Sequence, residues 1–250
     1  MPEKELSNRV AVVTGGSGGI GRSICRRLAD EGAAVAVVST TLEKARQVVD
    51  ELQKSGADAL AVTADLSNPE DVRKMAETIL NHWGKVDILV NNAGIRSRSA
   101  NLWELEYDEW RKVISVDLDS VFLCCKAFIP QMIERKRGRI INVSSTYGIY
   151  GAPMQSAYSS AKGGIVALTK ALAKELAPYQ ILAHTVVPGY IGAGMGEHVP
   201  PDEYEQAIRR IPLGRAGRPE EVAELVAILA GDRLTFTTGA CWDQSGGRTG

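Results

Sequence analysis

The sequence predicts an α/β protein built on a doubly wound parallel sheet, a Rossmann-like three-layer sandwich. Three observations lead there. Apolar runs such as Val10-Ala11-Val12-Val13 carry no polar alternation, as expected of strands buried on both faces. These runs alternate with helical patterns along nearly the whole chain. The first run opens into a glycine-rich turn and then a helix, the context a phosphate-binding loop requires.

The elements follow in order. The first strand, Val10 to Val13, runs into Thr14-Gly15-Gly16-Ser17-Gly18-Gly19-Ile20-Gly21 and a helix over Arg22 to Glu31. Gly15 allows the tight turn, Gly19 lets the backbone approach a pyrophosphate, and Gly21 lets the helix pack close to the strand. The helix N-terminus then faces the anion. Ala33 to Val38 is the second strand, ending at Ser39-Thr40-Thr41. An acid at this point takes the ribose hydroxyls of NAD. Here only hydroxyls stand, which tolerate a 2′-phosphate, so NADP is favoured with NAD still open. The same residues can also cap the helix Leu42 to Ser55. Ala59 to Thr63 is a third strand, ending at Asp65-Leu66-Ser67, and Pro69 to Trp83 is a helix stopped by Gly84.

Val86 to Val90 is the fourth strand, ending in Asn91-Asn92-Ala93-Gly94, and Trp110 to Met132 is one long helical pattern. Arg139 to Val143 is the fifth strand. Ile181 to Val187 is the sixth, ending in Pro188-Gly189, and Ala240 to Trp242 closes the sheet after a helix over Pro219 to Leu229. The stretch 189–218 is rich in Gly and Pro, carries a short helical piece at Asp202 to Arg210, and follows a strand's carboxyl end. It reads as a substrate lid.

The chain has 250 residues, 44% of them hydrophobic, which fits one large domain over residues 1–250. The net charge of −1 comes from interspersed acids and bases and argues against nucleic-acid and membrane-surface roles. Cys25, Cys124, Cys125 and Cys241 form no Cys-x-x-Cys pair, so neither a metal site nor a disulfide framework is expected. The charged stretch Met1 to Asn8 lacks an apolar signal core, and no run is long enough to span a membrane. A cytoplasmic protein is expected.

The chemistry concentrates on Ser145, Tyr158 and Lys162. Tyr158 and Lys162 lie four apart in the helical run Ala157 to Leu172, so phenol and ammonium share a face. A cation beside a phenol favours phenolate, which suits proton transfer near neutral pH. Ser145 follows the fifth strand, where a hydroxyl can hold a substrate oxygen. Alone, Tyr-x-x-x-Lys is common by chance. Here Thr14-Gly-x-x-x-Gly19-x-Gly21, Asp65, Asn91-Asn92-Ala93-Gly94, Ser145, Tyr158-x-x-x-Lys162 and Pro188-Gly189 occur in one order and spacing.

Together these motifs resemble the short-chain dehydrogenase/reductase family, in its compact single-domain branch. The resemblance implies a nicotinamide cofactor, NADP or NAD, and hydride transfer between a carbonyl and a secondary alcohol. By that resemblance Tyr158 is the acid in reduction and the base in oxidation. Lys162 holds the nicotinamide ribose, and Ser145 bonds the substrate oxygen. The cofactor would also meet Gly15, Ser17, Gly19, Ile20, Gly21, Ser39, Thr40, Leu66, Asn92, Ala93, Gly94, Pro188, Gly189 and Ile191. Asp65 would meet the adenine amino group, or else cap the helix that follows. The family pairs the two long helices across a two-fold axis, which implies a homotetramer. A second interface would use Glu220 to Trp242.

Four positions depart from the family pattern. Asp117 stands where the family has an Asn that positions a water beside the lysine, His184 replaces another Asn, Ala193 a Thr and Ser245 an Asp. A carboxylate at Asp117 would stand near Lys162 and offset part of its field on Tyr158. His184 reads as a structural histidine. The departures keep a second reading open, a cofactor-binding regulator with little turnover.

The sequence does not name the carbonyl or alcohol substrate. Ile95, Arg96, Thr146, Tyr147, Tyr150, Met154, Tyr190, Met195 and Tyr204 are expected to face it. Arg96 and Arg98 allow an anionic substrate or form a solvated basic loop. The general likeness is to 3-oxoacyl-carrier-protein reductases and sugar or polyol dehydrogenases. Carrier-protein reductases carry bases near the ends of two helices flanking the site. Arg135-Lys136-Arg137 supplies the first, while Ala177-Pro178-Tyr179-Gln180 has none.

Overall fold

The computed structural model describes residues 4–193 and 201–248. Among these, seven strands form one parallel sheet: β1 (Val10–Thr14), β2 (Ala34–Ser39), β3 (Ala59–Thr63), β4 (Ile88–Asn91), β5 (Gly138–Val143), β6 (Ile181–Pro188) and β7 (Cys241–Gln244). Their order is β3-β2-β1-β4-β5-β6-β7, which reverses direction between β1 and β4. Ligands bind at the carboxyl ends of strands beside such a reversal.

Both faces of the sheet are covered, which explains the unbroken apolar runs. Ala11 and Val13 of β1 enter one core with Ile24 and Leu28 of α1 (Gly19–Asp30) and Val222 and Val226 of α9 (Pro219–Ala230). Val10 and Val12 point the other way, into a core with Met75 of α3 (Pro69–Trp83), Phe128 of α5 (Ser120–Glu134) and Ile165 of α7 (Ser156–Leu176). Successive strand residues face opposite sides, so one strand serves two cores. Ile24, Leu28, Phe128 and Ile165 are fully buried, each contributing roughly 1.5–3 kcal/mol. Helix α2 (Leu42–Lys54) joins β2 to β3. Helix α3 shows how closely sequence sets local structure: Asn68 caps it by accepting the Glu70 N–H at 2.9 Å, Pro69 occupies its first position, and Gly84 at φ 72° ends it.

The helical pattern expected over Trp110 to Met132 is divided. Helix α4 (Tyr107–Ile114) passes into a π-helical turn at Ser115–Asp119 before α5 begins. A widened turn re-aims the side chains it carries, and this one holds Asp117 at 0% exposure. A further short helix, α6 (Thr146–Tyr150), follows β5. In the stretch expected as a lid, Ile191 pairs with Gly217 in an isolated parallel bridge, and α8 spans Pro201–Arg209. Met195 lies outside the described residues. Among the described residues no helix is long and apolar enough to cross a membrane.

Candidate active site

A cavity of about 470 Å³ opens at the carboxyl ends of the strands, next to the reversal between β1 and β4. Its floor begins with a knot of backbone bonds. The Thr14 hydroxyl accepts the N–H groups of Asn92 at 2.9 Å and Ala93 at 3.1 Å. The Asn92 amide donates back to the Thr14 carbonyl at 3.0 Å. The loops after β1 and β4 are thereby locked together, with no room for added atoms. Gly15 sits at φ +62°, and a Cβ there would stand 2.9 Å from Ala93 Cα. A Cβ on Gly21 would overlap the Gly15 carbonyl oxygen.

This loop delivers the N-terminus of α1 to the cavity. Gly18 caps it with no side chain, and no acid stands in the first turn. The first N–H groups therefore lack a side-chain acceptor, and the helix dipole adds positive potential. This cradle fits the pyrophosphate of a dinucleotide. At the end of β2 the Ser17 and Ser39 hydroxyls lie 2.8 Å apart, and Ser39, Thr40 and Leu66 line the same cavity. No carboxylate is among the described residues that line it.

The other end of the cavity holds the titratable groups. Tyr158 and Lys162 stand one turn apart on α7, with the ammonium 5.5 Å from the phenol ring centroid. Tyr147 packs edge-on against Tyr158 at 6.2 Å. The Ser144 hydroxyl donates to the Lys162 carbonyl at 2.8 Å, tying the end of β5 to α7. Ser145 comes next and caps α6, accepting the Tyr147 N–H at 3.2 Å. Ser145, Tyr158 and Lys162 all line the cavity.

Behind Lys162 lies Asp117. Its Oδ2 is 3.3 Å from the ammonium, with both side chains almost fully enclosed. Its Oδ1 accepts the Ile95 N–H at 2.8 Å. Burial raises the carboxyl above the usual carboxylate range, while the Lys162 charge and the Ile95 N–H pull it down. A Cβ on Gly94 would stand 2.9 Å from Asp117 Oδ2 and 3.1 Å from Lys162 Nζ. The ion pair therefore lies directly beneath the loop after β4.

Comparison with known proteins agrees with this geometry. Residues 9–204 match the family described as short chain dehydrogenase. The chain belongs to the short-chain dehydrogenases. It is therefore a nicotinamide-dependent oxidoreductase acting between carbonyls and alcohols. It is 40% identical to the 3-oxoacyl-acyl-carrier-protein reductase FabG of Staphylococcus aureus over 238 residues, 95% of this chain and 96% of that protein. Identity to the same-named reductase of Thermotoga maritima is 37% over 242 residues, covering 97% and 98%. The crystal structure of gox2181 aligns with a TM-score of 0.95 at 33% identity, over 98% of this chain and 97% of that one.

Within this short-chain dehydrogenase, two expected site residues stand apart from the cavity lining. The Asp65 side chain is exposed, and its carboxylate accepts the Ser67 N–H at 3.0 Å and the Ser67 hydroxyl at 2.6 Å. It does not cap α3, because Asn68 does. Asp117 touches Lys162 rather than the cavity. All the other expected catalytic and cofactor residues line it.

Of the expected substrate-facing residues, Ile95, Arg96, Thr146, Tyr147 and Tyr190 line the cavity. Tyr150 and Met154 are exposed outside it. Tyr204 packs on Tyr190, with ring centroids 5.9 Å apart. Arg98 turns away to Glu109 at 3.0 Å, so it follows the solvated-loop alternative.

Arg135 and Arg137 stand where β5 begins, at the opposite edge of the sheet from the cavity. Arg135 pairs with Asp87, and Arg137 with Asp232 at 3.0 Å. In a parallel sheet strand starts and strand ends occupy opposite edges, so these bases do not flank the site of their own chain. His184 is buried, takes a hydrogen bond from the Trp242 indole at 3.4 Å, and is pushed down to about 4 by burial and by the Arg139 charge. It is neutral at physiological pH, and among the described residues its Nε2 has no partner. Cys25, Cys124 and Cys125 are buried free thiols, raised by burial.

Gln155 and Arg248 are among the lining residues not foreseen from sequence. Gln155 accepts from the Ser97 hydroxyl at 2.7 Å and donates to Ser99 at 3.0 Å, holding the loop after β4 against the start of α7. Arg248 reaches the cavity from a Gly-rich tail with no periodicity to place it.

Proposed function

We propose that the protein is an NADP-dependent carbonyl reductase, reversible as an alcohol dehydrogenase, in which Tyr158 moves the proton. One observation carries this reading. Tyr158, Lys162 and Ser145 open into the same cavity as the uncapped N-terminus of α1. The nicotinamide supplies or accepts the hydride when bound. Ser145 holds the substrate oxygen, and Tyr158 donates its proton to that oxygen in reduction and withdraws it in oxidation. Lys162 would anchor the nicotinamide ribose, with its ammonium 5.5 Å from the Tyr158 ring centroid. Gly15, Ser17, Gly19, Ile20 and Gly21 take the phosphates. Leu66, Asn92, Ala93, Gly94, Pro188, Gly189 and Ile191 complete the cofactor bed. Asp65 would meet the adenine amino group through Oδ2, since Ser67 occupies only Oδ1. All seven strands belong to one sheet, which supports a single domain over residues 1–250 for cofactor and substrate.

The preference for NADP rests on Ser39 and Thr40 at the end of β2, where no carboxylate lines the cavity. A negative charge there would repel a 2′-phosphate and take the ribose hydroxyls instead. We expect kcat/KM to be higher with NADPH than with NADH, and Ser39→Asp to reverse the order. A clear NADH preference in the wild type would remove this assignment.

Asp117 acts as a positioning residue, through Lys162. Its carboxylate, 3.3 Å from the Lys162 ammonium, cancels part of the positive field on Tyr158. Oxidation needs phenolate. Asp117→Asn strengthens the uncompensated field, so the rising limb of the oxidation rate should move to lower pH while cofactor affinity changes little. A limb that stays put, or moves to higher pH, leaves Asp117 a structural role only.

The protein works in the cytoplasm as a homotetramer. Phe122 on α5 is 49% exposed, and Phe236, between α9 and β7, is fully exposed. Such apolar side chains on two separate faces favour two interfaces between copies. Light scattering at micromolar concentration should give four times the chain mass, and a monomer mass would refute the assembly.

A further inference from the structure

The cavity carries a cation that the reaction above does not use. Arg248 lines it and is half-buried, yet among the described residues its guanidinium has no hydrogen-bond or ion-pair partner. The tail that presents it is fixed. Gly189 N–H donates to the Gln244 carbonyl at 3.2 Å, Ser245 N–H to Asp243 Oδ1 at 2.7 Å, and Leu213 N–H to the Gly246 carbonyl at 3.2 Å. Arg248 thus follows a tail held against the loop after β6, and it lines the same cavity as Pro188, Gly189 and Tyr158.

Topology separates this arginine from the ribose phosphate. It leaves β7, while Ser39 and Thr40 end β2, five strand positions away. At about 4.8 Å per strand that is roughly 24 Å, far beyond the reach of an arginine side chain. Among the described residues no carboxylate lines the cavity, and Asp117 answers Lys162. A guanidinium in a cavity is matched in strength and shape by a bidentate carboxylate.

We propose that Arg248 selects substrates that carry a carboxylate, so that the enzyme reduces oxo acids and oxidises hydroxy acids. This deepens the reading of the cavity as a carbonyl-reducing site and rests on it. The test compares an oxo acid such as 5-oxohexanoate, its methyl ester, and a ketone phosphate ester, with NADPH, in wild type, Arg248→Met and Arg248→Lys. Wild type should prefer the acid over both others. Arg248→Met should lower the acid-to-ester ratio of kcat/KM at least tenfold, almost wholly through KM for the acid. Arg248→Lys should lose less, and KM for NADPH should move less than twofold in both.

An unchanged ratio, or a loss that appears in KM for NADPH, overturns the proposal. A preference for the phosphate ester that depends on Arg248 overturns the choice of carboxylate. Turnover of the ester but not of the acid by wild type overturns the proposal while leaving the reductase reading intact. No NADPH oxidation with any carbonyl ends both.

Discussion

Tyr158→Phe should lose nearly all turnover, a fall in kcat of roughly 10²–10⁴-fold, which is the usual worth of a positioned acid or base. The substitution removes one oxygen and leaves the ring, which packs edge-on against Tyr147 at 6.2 Å. The helix that carries it is anchored independently, through the Ser144 hydroxyl bond to the Lys162 carbonyl and the buried Ile165. Cofactor affinity, read by quenching of protein fluorescence, should stay within about threefold, because the glycine loop and Lys162 are untouched. A Phe variant with a rate within a few-fold of wild type would take the proton away from Tyr158.

Lys162→Met should fail twice, in turnover and in stability. Lys162 and Asp117 form an ion pair at 3.3 Å, closed off from solvent on both sides. Removing one partner of a buried pair leaves the other uncompensated, at a cost of about 3–5 kcal/mol. The pH dependence has a definite sign. Burial raises the Asp117 carboxyl, and Lys162 is the leading influence that lowers it. Without Lys162 it rises further. A raised value means that the folded chain holds this proton more tightly than the unfolded chain. The penalty is absent at pH low enough to protonate both states and is full above the folded value. Lys162→Met should therefore lie closer to wild-type stability at pH 5 than at pH 8, in urea melts. Adding Asp117→Asn should restore most of the lost stability but none of the turnover. A deficit of equal size at both pH values would mean that the carboxylate does not feel the lysine.

The strands were legible in the sequence because apolar runs such as Val10 to Val13 mark burial on both faces. Each of the seven expected runs overlaps an observed strand. The glycine loop and the Tyr158–Lys162 turn were legible for a similar reason: backbone closeness admits only glycine, and the i, i+4 spacing is fixed by the helix. The π turn at Ser115–Asp119 had no such signal. Val116-Asp117-Leu118 reads as ordinary helix, and no residue in it marks the widened turn. At Asp65 the sequence did not show the local contact that the structure adds, with Oδ1 accepting both the Ser67 N–H and the Ser67 hydroxyl. Arg135 and Arg137 were placed near the site because distance along the chain says nothing of sheet edge. Arg248 was invisible because a Gly-rich tail owes its position to tertiary contacts with Gly189 and Leu213, not to any pattern of its own.

The most direct measurement is the nicotinamide absorbance of NADPH, followed with purified protein over a panel of ketones, oxo acids and 3-oxoacyl thioesters. At least one of these should consume NADPH and yield the alcohol in equal amount, with the reverse reaction running from the alcohol and NADP at higher pH. Tight NADPH binding with no oxidation on any carbonyl would contradict it, and would leave a cofactor-binding regulator in its place.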